Sequence, residues 1–109
     1  MNRNFTQTMK VHCPDPTKLI ALIEEWDQVH AMSDITAYMG TRMLADRARL
    51  GWYTLIIDFG VIDPDVSAAE EAARHNERPE TKAMAAAAAK LIDSEIEYGH
   101  FDEVYRTDR

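Results

Sequence analysis

From Phe5 the chain alternates, with Phe5, Gln7, Met9, Val11 and Cys13 on one face of an extended segment. Thr6, Thr8, Lys10 and His12 fall on the other face, which predicts a half-buried first strand over 5–13. Asp15 followed by Pro16 is a helix start, a side-chain cap and then a ring already set at helical φ. Leu19, Leu22, Ile23, Trp26 and Val29 recur at spacings of three and four, the stripe of an amphipathic helix ending near His30. Ala31 to Ile35 reads as a connection and Tyr38–Ala45 as a second strand. After a turn over Arg47–Gly51, Trp52–Gly60 is the clearest strand in the chain. Its Tyr53, Leu55, Ile57 and Phe59 make one wholly apolar face, while Trp52, Thr54, Ile56 and Asp58 make a mixed one. Both sides of such a strand are expected to be covered. An unpaired carboxylate between Ile57 and Phe59 is costly to bury, so Asp58 is expected to pair with Arg42 on the neighbouring strand.

Ile62-Asp63-Pro64-Asp65 stops the strand, and a short helix is expected from about Ser67 to Arg74. The segment 76–81 interrupts it, and Pro79 suits the first turn of a second helical piece running through Ile92. Its alanine run, Ala83–Ala89 broken only by Met84, has high helix propensity and lets a helix approach its neighbour closely. Glu95–Tyr105 reads as the last strand, kinked at Gly99. The order β-α-β-β-α-β, with two right-handed crossovers, predicts an α+β ferredoxin-like fold. Its four-stranded antiparallel sheet has helices on one face only. Trp52 and Ile56 leave the other face too apolar to stand in water, which predicts a homodimer packed sheet to sheet. The polar end, Thr107-Asp108-Arg109, is expected to lie outside the core.

At 109 residues, 46% hydrophobic and 28% charged, the chain fits a single domain over 1–109 with one core. A net charge of −7 argues against nucleic acid and anionic membrane surfaces as partners. Cys13 is alone, so no intrachain disulfide forms, and no apolar run approaches the roughly 20 residues of a membrane span. Met1-Asn2-Arg3-Asn4 leads into a mixed polar stretch rather than a secretory apolar core. A cytoplasmic location is the expectation.

The four histidines, His12, His30, His75 and His100, show no ligand spacing, so no metal site is expected. Cys13 sits on the apolar strand face and reads as core packing rather than as a nucleophile. Glycine-rich phosphate loops and nucleophile elbows are absent from the sequence. His75 and Asn76 are the leading polar candidates, since a helix break frees backbone groups for a ligand. The structural alternative makes Asn76 a cap for the helix restarting near Pro79 and His75 a solvated end residue. Trp26 and His30 share a helix face one turn apart. Trp26 reads first as core, yet the pair can also wall a pocket opposite Tyr53 or Trp52.

The strand Trp52–Gly60, the segment 72–81 (Ala-Ala-Arg-His-Asn-Glu-Arg-Pro-Glu-Thr), Trp26 and the closing Tyr98-Gly99-His100-Phe101-Asp102 together resemble the dimeric α+β barrel superfamily. Within it the chain is most similar to the antibiotic-biosynthesis-monooxygenase-like proteins. That resemblance implies homodimers whose two sheets build a barrel, with a small-molecule site between sheet and helices in each subunit. Some members oxygenate polycyclic phenols without metal or flavin, and haem-degrading relatives bind haem. The chain departs from the haem-degrading pattern, with Gln7 and Thr8 near the expected first-strand Asn and Phe59 in place of a Trp.

The resulting expectation is a cofactor-free homodimer that binds, and as a monooxygenase oxygenates, a small aromatic or polyketide-like molecule. His75 would be the base. Asn76 would donate to the developing oxyanion, and Trp26, His30 and Tyr53 would line the pocket. The alternative is a non-catalytic dimeric binding or stress-associated module.

Overall fold

The computed structural model describes residues 3–31 and 37–108, with backbone alone for His30 and Ala31. The elements are β1 (Phe5–His12), α1 (Pro16–Ala31), β2 (Tyr38–Ala45), β3 (Trp52–Phe59), α2 (Ala68–Asn76), α3 (Pro79–Ala89) and β4 (Glu97–Asp102). The strands form one antiparallel sheet in the order β2-β3-β1-β4, so both crossovers carry their helices over the sheet as the sequence predicts. Beyond Ala31, which closes α1, the expected connection lies outside the described residues.

The alternation of β1 and β3 is realised directly. Phe5 faces Phe59, Gln7 faces Ile57, Met9 faces Leu55 and Val11 faces Tyr53 across the ladder. This row meets the helices in two adjoining packing clusters. Phe5, Ala37, Phe59, Ala68 and Ala72 join β1 and β3 to α2. Val11, Cys13, Leu19, Leu55 and Ala88 join them to α1 and α3. Cys13 is buried there as a small apolar group. Asp15 accepts a bond from the Lys18 amide and begins α1 as expected. Leu19 and Trp26, seven residues apart, form its buried stripe, whereas Val29 at the far end remains exposed.

The second crossover contains two helices, as the interruption at 76–81 predicts, and the second ends at Ala89 rather than Ile92. Ser67 caps α2 by accepting from the Glu70 amide at 3.1 Å. The proline ring at position 79 cannot continue α2, and α3 restarts there with Arg78 as its N-cap residue and no side-chain cap. Asn76 is therefore the last residue of α2 and not the cap of α3.

Three sequence expectations are corrected. Asp58 does not pair with Arg42; it accepts a 2.6 Å bond from the Thr6 hydroxyl, its ladder partner on β1. Position 99 does not kink the last strand, because β4 stays in register with β1 from Glu97 to Asp102. A side chain there would collide with Thr8 Oγ1 and sit 2.6 Å from the Phe101 ring. Glycine is needed for close approach, not for a bend. The strand also ends earlier than expected, and Val104 and Tyr105 beyond it are about four-fifths exposed.

The face without helices carries Thr8, Lys10, Arg42, Leu44, Trp52, Ile56 and Phe101. Leu44 and Phe101 are among its exposed apolar side chains. Among the described residues, no helix is long and apolar enough to cross a membrane.

Candidate functional site: an apolar cavity between sheet and helices

Between the helix-facing side of the sheet and α1, α2 and α3 lies a cavity of about 300 Å³. Its existence follows from local sequence. The alanine run of α3 presents Ala85, Ala88 and Ala89 to the sheet, and methyl groups leave space where larger side chains would fill it. Leu55, Ile57 and Phe59 form the floor from β3, and Ile23 and Trp26 form a wall from α1.

The polar groups bordering it are few: Gln7, Thr41, Asn76, Thr81, Lys82 and Tyr98. Apolar walls with a small number of placed polar groups are the usual make-up of a small-molecule site. Asn76 Nδ2 donates to Gln7 Oε1 at 3.4 Å, a long contact that a better acceptor can displace. The two carboxamides come from α2 and β1, 69 residues apart in sequence. Among the described residues, no carboxylate and no imidazole borders the cavity.

The sequence candidates separate in space. Trp26 and Asn76 border the cavity, and Tyr53 is not among its lining residues. The His30 side chain lies outside the described residues. His75 is only 5% exposed, so it is not a solvated helix end. Its ring meets Trp26 edge-on at 5.3 Å and Phe59 at 5.2 Å, and stacks on Tyr38 at 5.7 Å. Trp26 and Phe59 both border the cavity, whereas His75 stands behind them in a ring cluster. Gln7 carried a sequence signal, being the one polar side chain on an otherwise apolar strand face. Thr81 and Lys82 carried none that periodicity can find.

Tyr38 closes the outer side of this cluster, its hydroxyl 2.6 Å from that of Thr41. Burial pushes it up to about 12 from 10.0, with the Thr41 bond opposing and Asp27 adding to the rise. The folded state therefore holds this proton more tightly than the unfolded chain does. Stability from this group is fully present below pH 10 and is lost as pH rises towards 12, because the unfolded chain ionises first. Alkaline unfolding followed by circular dichroism should show a steeper loss in the parent than in Tyr38→Phe across that interval. Equal slopes would remove Tyr38 from the account.

Among the described residues, no group of three or more side chains is placed to hold a metal ion. No protein-family model matches the sequence, and no curated protein matches it. Solved structures do match in fold. SnoaB, a cofactor-independent oxygenase from Streptomyces nogalater, is 17% identical with a TM-score of 0.69, over 96% of each chain. A protein provisionally described as an antibiotic biosynthesis monooxygenase from Caulobacter crescentus is 12% identical with a TM-score of 0.71. That match covers 95% of this chain and 92% of the other. A conserved protein from Methanosarcina mazei, 10% identical over 91% of each chain, has a TM-score of 0.66. The fold is thus the one these solved structures share, and it is the α+β ferredoxin-like fold on a four-stranded antiparallel sheet that the sequence predicts.

Proposed function

We propose that the chain is a homodimeric, cofactor-independent monooxygenase acting on a small aromatic or polyketide-like substrate held in the cavity. The observation that carries this reading is the apolar cavity of about 300 Å³ with the Gln7–Asn76 carboxamide pair on its border. It is supported by the fold shared with a cofactor-independent oxygenase. The dimer is supported by the apolar residues on the helix-free face, including Trp52, Ile56 and the exposed Leu44 and Phe101.

The chemistry proposed is carried by the substrate. An enolic or phenolic ring loses a proton, and its anion gives one electron to dioxygen. Closure of the radical pair forms a carbon–oxygen bond, and protonation gives a hydroperoxide. Loss of water then leaves a carbonyl, so that a ring methylene and dioxygen become a ketone and water. Asn76 would donate to the anionic oxygen at the mouth of the cavity. Trp26 and Phe59 would hold the ring plane. In this proposal His75 is a positioning residue that fixes those two rings, and the substrate proton leaves to solvent at the mouth beside exposed Asn76.

Anthrone, a tricyclic enolisable ketone, tests this with an oxygen electrode in buffer containing chelator. One dioxygen should be consumed per anthraquinone formed, well above the protein-free rate. Light scattering should give a mass near twice 12.4 kDa. A monomer that forms product only at the buffer rate would overturn the proposal. A dimer that binds anthrone without turnover would move the chain to the non-catalytic binding modules.

A further inference from the structure

The border of the cavity is chemically one-sided. Among the described residues it includes one cation, Lys82, and no carboxylate. Lys82 lies on the first turn and a half of α3, directly after Thr81, which also borders the cavity. The Thr81 hydroxyl is buried and, among the described residues, has no hydrogen-bond partner. A buried hydroxyl left so costs free energy on the order of 1–3 kcal/mol, which a ligand acceptor would recover. Lys82 borders the cavity, and its side chain joins an apolar stem to a charged end. There it pairs with Glu77 at 3.1 Å, in a contact whose side chains are 61% and 76% exposed. So exposed a pair is weak and is readily exchanged.

We propose that Thr81 and Lys82 form a subsite for an anionic oxygen, so that the cavity selects apolar ring compounds bearing a carboxylate, phenolate or enolate. The ring lies against Trp26 and the alanines of α3. The Thr81 hydroxyl donates to the oxygen, and the Lys82 ammonium leaves Glu77 to meet the charge. This deepens the oxygenase reading and rests on the same cavity. A phenol or enol bound beside a cation loses its proton at lower pH than in water. That would supply an ionised substrate where, among the described residues, no imidazole or carboxylate borders the cavity.

The test uses three naphthalene probes, measured by calorimetry on the full chain. The carboxylate 2-naphthoate should bind about tenfold more tightly than the uncharged, similarly shaped 2-naphthamide, the usual gain from a charge-assisted bond. The phenol 2-naphthol should show the absorbance of its anion when bound at neutral pH. Lys82→Met keeps the stem and removes the charge; it should bring naphthoate to within about twofold of naphthamide and leave naphthamide unchanged. Thr81→Val, of equal shape, should weaken both naphthoate and naphthamide, naphthoate the more, because the amide carbonyl accepts from the same hydroxyl. Glu77→Gln frees the ammonium and should strengthen naphthoate. Equal affinity for naphthoate and naphthamide in the parent would overturn the subsite while leaving the cavity standing. So would a preference that survives Lys82→Met. Failure of all three probes to bind would overturn both readings.

Discussion

Phe59→Ala is expected to lower the unfolding free energy by about 3–5 kcal/mol, the largest stability effect of any single truncation proposed for this chain. Phe59 is 1% exposed. Its ring lies 6.3 Å from Phe5, 6.1 Å from Tyr38 and 5.2 Å from His75, and it forms part of the cavity floor. Removing it deletes contacts on every side and joins the ring cluster to a space that is already open. The neighbours have little means of closing the gap, since Ala68 and Ala72 of α2 in the same cluster offer only methyl groups. A domain of this size has a total stability of roughly 5–15 kcal/mol, so the variant should be near the limit of folding. Urea unfolding gives the measurement: the midpoint should fall with the slope unchanged. Phe59→Leu, which fills part of the volume, should recover more than half of the loss. A Phe59→Ala unfolding free energy within about 1 kcal/mol of the parent would mean that the cluster collapses around the gap, and that His75 and Trp26 are not held by this ring.

Phe59 was also among the residues most legible in the sequence. Strict alternation in Tyr53, Leu55, Ile57 and Phe59 assigns a face without further information, and the ladder confirms it residue by residue. Pro79 fixed the helix break because a ring without an amide proton has few places in a helix. What failed were inferences about partners. Arg42 lies on the strand beside Asp58, but the hydroxyl of Thr6 stands directly across the ladder on the other side and takes the carboxylate. Sequence separation says nothing of which neighbour is nearer. The reading of Gly99 failed for a related reason, because the demand for glycine comes from Thr8 and Phe101, not from local backbone conformation.

The candidate site shows the same division. The sequence places Asn76 at a helix break, and in the structure it ends α2 and borders the cavity. The burial of His75 had a faint signal: Ala68, Ala72 and His75 recur at spacings of four and three and share the buried face of α2. Alanine is too weak a marker of burial for that stripe to stand out beside Glu70, Glu71 and Arg74. Lys82 and Thr81 were invisible for the opposite reason. A lysine in a helix reads as solvated, and only the gap left by the alanines beside it gives its stem a cavity to border.

Asn76→Ala is expected to reduce turnover of anthrone by about 10²–10³-fold, the usual result of deleting one donor to a developing oxyanion. Its effect on stability should be small, within about 0.5 kcal/mol, because Asn76 caps no helix and its bond to Gln7 is long at 3.4 Å. The isosteric Asn76→Asp separates the two roles more sharply. A carboxylate there sets a negative charge against the anionic oxygen, so activity should be abolished. At the end of α2 the same charge meets the negative end of the helix dipole, which costs only about 0.3–1 kcal/mol. Melting should thus move little while turnover disappears. Gln7→Leu completes the design, since Gln7 is the acceptor that orients the Asn76 amide. If Gln7 acts only through Asn76, its loss should lower turnover in the parent and have no further effect in Asn76→Ala, a coupling that a double-mutant cycle reads directly. Additive losses would make Gln7 an independent contact to substrate. Should Asn76→Ala and Asn76→Asp both turn over anthrone at the parent rate, Asn76 is not the donor, and the carboxamide pair does no more than tie α2 to β1.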